Sequence, residues 1–505
     1  MSITRLPNEL LDMVCSHLDH SEWLSLRSTC RPLYEASWRT FADRHFKSIC
    51  YMATSEGVRQ LKSLLRNKAL TTNVEEIWMI PTVFEGLHSM DQPMFEKYAN
   101  RRKPYQGYQD DTSFRFTLYQ EIVSDHLGFA ESNECAQVLS ECFVHMKNLK
   151  SIGLKHYPTD FLLDNRQNGV KCLGLPDLRN KIGFQALPSS MGLLQRGQVA
   201  GINTRGLSRL LKSLNGFIHQ IKTLHTCDNI FCGSISPNIF VTEENYITLS
   251  KSLEQLEFLH LCICHTKVSE MSTRYTWIDI LLTVSSRLKV LEFSQWCGAK
   301  RDMNQAIFLR LSQIIVFSQL KDLRLHWIQV QPDALKTFIK SAKTTLRALS
   351  LELVTLTNGD QYLDPSNPTP WRLIWEFLAD EISLEKLHLA YLGYRGLKVI
   401  IQRSFNSTIS STPDYSIDFN SEIADISFSE WILQFSPVTR FKEDDVGKRR
   451  YDGKLITSPN NSLLMPSGWL DVNVEASSQR RHRFSPDLKL ADRMKQRQLP
   501  KDCCH

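Results

Sequence analysis

LKDLRL at 320–325 carries the pattern that decides the fold: leucine, two variable residues, leucine, one variable residue, leucine. The same pattern stands in LEFLHL (256–261), LKVLEF (288–293), LRALSL (346–351) and LEKLHL (384–389). The central residues Leu259, Leu291, Leu323, Leu349 and Leu387 are spaced by 32, 32, 26 and 38 positions. Weaker copies are Val74/Ile77/Met79, Leu149/Ile152/Leu154 and Ile221/Leu224. Residues two apart on an extended strand point to the same side, so each L-x-L pair enters a core and the preceding leucine packs behind it. Helical patterns lie between the copies. Cys135, Val138, Leu139, Cys142, Phe143 and Met146 share one helix face, as do Leu207, Leu210, Leu211, Leu214, Phe217 and Ile218. Gln331-Pro332 and Thr369-Pro370 are start signals for helices carrying Leu335, Phe338, Ile339 and Ala342, and Trp371, Ile374, Trp375, Leu378 and Ile382. AIFLRLSQIIVFSQL (306–320) is too interrupted by Arg310, Gln313 and Ser318 to cross a membrane and reads as a buried amphipathic helix. Strand and helix signals alternate, which predicts a βα array in which each unit is buried by its neighbours. A plain α/β domain is the alternative.

Working outward, residues 85–130 and 155–203 break the period with RRKPYQGYQDDTSFRFTLY (101–119) and DNRQNGVKCLGLPDLRNKIGFQALPSS (164–190). Insertions in such an array map to loops on one face, often the binding face. The array is expected over 71–435. A tail over 436–505 is expected to be disordered: residues 440–505 hold fourteen Lys/Arg against nine Asp/Glu and few long apolar runs. Its basic clusters at 448–450 and 479–483 read as a solvated tail before they read as import or polyanion signals.

The 505 residues carry 42% apolar and 23% charged side chains and a net charge of +6, too small for this length to imply a polyanion partner, so no nucleic-acid partner is expected. Thirteen cysteines follow no even framework, and no apolar signal-peptide stretch follows Met1–Arg5. Reduced thiols in the cytosol or nucleus are expected. Phosphate-binding glycine loops, H-E-x-x-H and G-x-S-x-G are absent, so no catalytic residue and no cofactor is assigned. Cys227, Cys232, Cys262, Cys264 and His265 come nearest to a metal set, but no C-x-x-C pair exists; they read as small core residues and no metal is assigned.

The N-terminal end follows different rules. It reads LPNELLDMVCSHLDHSEWLSLRSTCRPLYEAS (6–37). Pro7 suits a first helical turn, Glu9 complements the helix dipole, and Leu10, Val14 and Leu18 follow at four-residue spacing, with Leu11 seven before Leu18. Asp19 with Glu22 reads as a capping box for a second helix carrying Trp23, Leu24, Leu26 and Arg27, and Pro32 restarts a third with Leu33, Ala36 and Trp38. Three such helices have too little interior to stand alone.

This segment resembles the F-box in its Leu-Pro-x-Glu-Leu opening, Val14, Leu18, the Leu-x-Leu-Arg of Leu24 to Arg27, and the Thr-Cys-Arg of Thr29 to Arg31. Trp23 departs from the motif and is expected to pack inward. The resemblance implies an F-box domain at 1–45, a helical linker or cap at 46–70, and docking to a Skp-type adaptor, and through it to a cullin scaffold, by Leu6, Pro7, Leu10, Val14, Leu18 and Leu24. With the repeats, the chain resembles fungal F-box proteins with irregular leucine-rich repeats. The fold class is then α/β: a three-helix F-box, a leucine-rich-repeat-like βα solenoid, and a basic tail. The implied role is a non-catalytic substrate-recognition subunit of a ubiquitin ligase that holds a protein target of unknown identity. The alternative is a non-degradative complex with the adaptor alone.

Overall fold

The computed structural model describes residues 6–18, 20–81, 91–101, 111–155, 172–182, 196–214, 221–227, 234–236, 253–265, 276–297, 301–357, 370–394, 397–403, 416–424 and 426–439. The basic tail beyond 439 and Cys232, Asp19, Phe217 and Ile218 lie outside them.

Four short helices come first: α1 (Asn8–His17), α2 (His20–Thr29), α3 (Arg31–Ala36) and α4 (Trp38–Phe46). The expected third helix is therefore two. The Ser37 hydroxyl donates to the Leu33 carbonyl at 2.6 Å, ending α3 where α4 begins. Next come β1 (Ser48–Met52), α5 (Ser55–Leu64), α6 (Lys68–Asn73), β2 (Glu76–Ile80), α7 (Gln92–Arg101), α8 (Thr112–Glu131), α9 (Glu134–His145) and β3 (Ser151–Leu154). They are followed by β4 (Cys172–Leu173), α10 (Leu175–Ile182), α11 (Arg196–Lys212), β5 (Thr223–His225), β6 (Phe258–His265), α12 (Thr276–Ser285), β7 (Val290–Cys297) and α13 (Arg301–Ile314). The last group is β8 (Asp322–His326), β9 (Gln329–Val330), α14 (Pro332–Lys340), β10 (Ala348–Glu352), β11 (Thr355–Leu356), α15 (Pro370–Glu381), β12 (Lys386–Ala390), β13 (Gly393–Tyr394), β14 (Leu397–Arg403), β15 (Ser416–Asn420), α16 (Phe428–Leu433) and β16 (Phe435–Thr439).

Eleven strands form one sheet in the order β15-β12-β10-β8-β7-β6-β5-β3-β2-β1-β4. Every neighbouring pair is parallel except β12–β15. The central residues of the repeated pattern stand directly opposite one another: Ile49, Ile77, Ile152, Leu224, Leu259, Leu291, Leu323, Leu349 and Leu387, ending on Phe419. All ten are buried, in one core with the inward faces of α5, α9, α11 and α12 to α16. Uneven sequence spacing is thus absorbed between strands, and the register is kept within them. Leu323→Ala is expected to destabilise the chain by about 2–5 kcal/mol. Urea unfolding measures this, and a shift of only a few tenths would contradict the shared core.

A second regularity lies just past β8, β10 and β12. Trp327, Leu353 and Tyr391 all take left-handed φ values of 59°, 57° and 52°. Each turns its chain into a two-residue strand, and β9, β11 and β13 pair in parallel to make a second, smaller sheet with β14 and β16. Bulky residues at these turns accept roughly 1–3 kcal/mol of backbone strain each, held by Trp327 N–H donating to Glu352 O and Leu353 N–H to Ala390 O. Residues 436–439, assigned above to the tail, belong to β16, which pairs with β14.

The two insertions are not simply loops. Their described parts are largely helical, and α7, α8 and α10 pack together over the face of β1 and β2 opposite the main core. Phe95, Phe116, Tyr119, Val123, Leu175 and Leu178 meet Cys50, Met52 and Ile80 there. The 46–70 segment expected as a linker or cap holds β1, an interior strand, as well as α5 and α6.

Candidate partner-docking surface

α1 has two apolar faces rather than one. Leu11 and Cys15 turn inward and are fully buried, while Leu10, Met13 and Val14 stay 46%, 61% and 37% exposed. Pro7 occupies the N-cap position rather than the first turn, and its carbonyl accepts from Leu10 and Leu11 N–H. Of the residues expected to dock, Leu10, Val14 and Leu24 are exposed, Leu24 at 47%. Pro7 is exposed too, and Leu6 and Leu18 are half-buried. Met13, not among the residues expected to dock, shares this exposed face at i+3 from Leu10. Full burial of one such side chain stabilises a complex by roughly 1.5–3 kcal/mol. Leaving several exposed on two adjacent short helices marks a candidate interaction surface.

Behind this surface, Trp23 is buried and stacks on Phe41 with ring centroids 5.1 Å apart. Arg27 is also buried, only 8% exposed. Its guanidinium carbon lies 4.1 Å from the Tyr34 ring, 4.2 Å from Phe41, 5.2 Å from Trp38 and 5.9 Å from Trp23. The aromatic positions of α2, α3 and α4 thus close around one cation, and Tyr34 remains 46% exposed.

The face of the large sheet opposite the main core carries an aromatic and polar row, much of it buried. Trp78, His225 and Phe258 form an aromatic row with successive centroids 4.8 Å apart. Gly153 lies beneath it because a Cβ there would come within 2.7 Å of the Trp78 ring. Further along, Glu292 is a hub: His260 Nε2 and His326 Nε2 each lie 3.6 Å from Oε1, and Arg324 Nη1 lies 3.7 Å from Oε2. His326 Nδ1 faces Glu352 at 3.5 Å. Burial, reinforced by the neighbouring His260, pushes the His225 imidazole down to about 4. Cys227, Cys262 and Cys264 are buried thiols beside this row. No group of three or more His, Cys, Asp or Glu side chains is placed to hold a metal ion among the described residues. Likewise, among the described residues no helix is long and apolar enough to cross a membrane.

Residues 3–48 match the F-box-like family model, so the chain carries an F-box-like domain over α1 to α4. No curated protein matches the chain in a sequence search. F-box domains generally bind a Skp-type adaptor, and F-box proteins are generally non-catalytic.

Proposed function

We propose that this chain is the substrate-recognition subunit of a Skp–cullin–F-box ubiquitin ligase. The observation that carries the reading is the match at 3–48 together with Leu10, Met13, Val14 and Leu24 left exposed on that domain. On this reading the four side chains enter a Skp-type adaptor, which links the chain to a cullin. The in-register leucine strands form an irregular leucine-rich-repeat array, and a protein target lies along the polar face of its sheet. The chain then works by proximity: a target lysine meets the charged conjugating enzyme at high effective concentration, and no residue here needs to do covalent chemistry. A cytosolic or nuclear location follows from that partnership and fits the buried free thiols.

Leu10→Ala with Val14→Ala is expected to weaken adaptor binding at least about tenfold, as truncating two interface anchors does. The test is calorimetry with purified adaptor. Undiminished binding by the double variant would count against the reading. Co-purification then separates a ligase from a non-degradative complex, since a cullin accompanies the chain only in the first.

A further inference from the structure

The Arg27 side chain is more than nine-tenths buried, and among the described residues its guanidinium lies against four ring faces. Its Nη1 is buried without a hydrogen-bond partner, and no carboxylate pairs with the guanidinium among the described residues. Ring quadrupoles attract a cation but accept no N–H in the way an oxygen does. Burying a charge without an acceptor is costly, and a fold relieves that cost when the missing partner arrives. The position is informative. Arg27 is one turn along α2 from exposed Leu24, so the two share a helix face, and the exposed Tyr34 ring is the outer wall of its cage.

We propose that Arg27 is the polar anchor of the docking surface: its guanidinium donates to a carboxylate supplied by the adaptor beside the leucine patch. This rests on the adaptor reading and adds to it the chemistry of the complementary site. The geometry favours an acid because a planar fork, already oriented by stacking, matches a carboxylate with two parallel hydrogen bonds. Apolar contacts at Leu10, Met13, Val14 and Leu24 then supply affinity, and the ion pair supplies register.

The experiment measures binding of the full chain to purified Skp-type adaptor by calorimetry, with thermal melts alongside. Arg27→Met fills the cage with a flexible apolar side chain and removes the unpaired charge. It is expected to melt no lower than wild type yet bind at least tenfold more weakly. In parallel, each acidic residue on the adaptor's docking face is replaced by its amide against the wild-type chain. One replacement is expected to weaken binding comparably and to have no further effect on Arg27→Met. This second arm needs no variant of the chain to fold. If Arg27→Met binds as wild type does, or if no single amide replacement weakens wild-type binding more than twofold, the proposal is overturned while the docking reading stands. A wild-type chain that does not bind the adaptor at all overturns both.

Discussion

Lowering the pH from 7 to 5 is expected to cost this chain roughly 4 kcal/mol of stability, well before its carboxylates titrate. Two histidines carry the effect. His126, on α8, is fully buried; burial, with the Arg209 charge, pushes its imidazole down to about 4. His225, between Trp78 and Phe258, is likewise pushed down to about 4 by burial and by His260. In the unfolded chain both would titrate near their ordinary value of about 6.5. Because the folded values are depressed, neither state is protonated at these sites above about 6.5, and stability there is complete. Below 6.5 the unfolded chain takes up protons that the folded chain refuses. Each histidine then removes about 1.4 kcal/mol per pH unit until about pH 4, where the loss levels off near 3 kcal/mol per site. Urea midpoints at pH 7, 6 and 5 measure the slope. His225→Phe, which keeps an aromatic ring in the row, is expected to halve it. Equal midpoints at pH 7 and 5 would show that these imidazoles are not buried in the neutral form.

What was legible in the sequence follows from how each element is buried. Strands β6, β7, β8, β10 and β12 were readable because only one of their faces enters the main core, so leucines alternate with polar residues. β1 was not readable. Ile49 and Tyr51 enter the main core while Cys50 and Met52 enter the second one, and a strand buried on both faces has no alternation to detect. The paired strands β9, β11 and β13 are two residues long, below any period. Their turns at Trp327, Leu353 and Tyr391 carry no glycine or asparagine to announce a left-handed residue. The helix α8 had a usable signal. Asp111 accepts from Phe114 N–H as an N-cap, and Phe116, Tyr119 and Val123 follow at helical spacing. Its meeting with α10 joins segments some sixty residues apart, which local pattern does not encode. In the F-box-like domain, the motif pointed to α1 and α2, where Leu10, Val14 and Leu24 are exposed. It merged two opposed faces of α1 into one stripe, because Leu10 and Leu11 are adjacent in sequence but diverge by about 100° around the helix.

Deleting residues 1–47 is expected to do more than remove the F-box-like domain: it should uncover the large sheet at β1 and β2. Residues 1–40 and the repeat pattern have separate apolar patterns, which by themselves predict that residues 1–40 can be cut away cleanly. The contacts argue otherwise. Only Lys47 separates α4 from β1, and its carbonyl accepts from Glu75 and Glu76 N–H at 2.9 and 3.0 Å, continuing the β1–β2 ladder. α4 packs on α6 and β1, and Phe46 packs against the main core. Ala42, on the same helix, is fully buried. Repeat arrays need capped ends because a terminal unit cannot bury its apolar face alone. Losing this cap exposes Phe46's partners and the α5–α6 layer, with an expected cost of several kcal/mol, since each large side chain uncovered accounts for about 1.5–3 kcal/mol. The measurement is a thermal melt with limited proteolysis of the shortened chain beside the Leu10→Ala/Val14→Ala protein. The shortened chain should melt lower and be cut between β1 and β2; the double variant should melt as wild type does, since its substitutions lie on the outward face. The double variant is therefore the sound trap for a target. In cells it should hold its bound partner and lengthen that partner's half-life, whereas the deletion should lose the partner through misfolding. A deletion that melts like the full chain and keeps the same partners would show that the F-box-like domain is an independent module and that α4 is no cap.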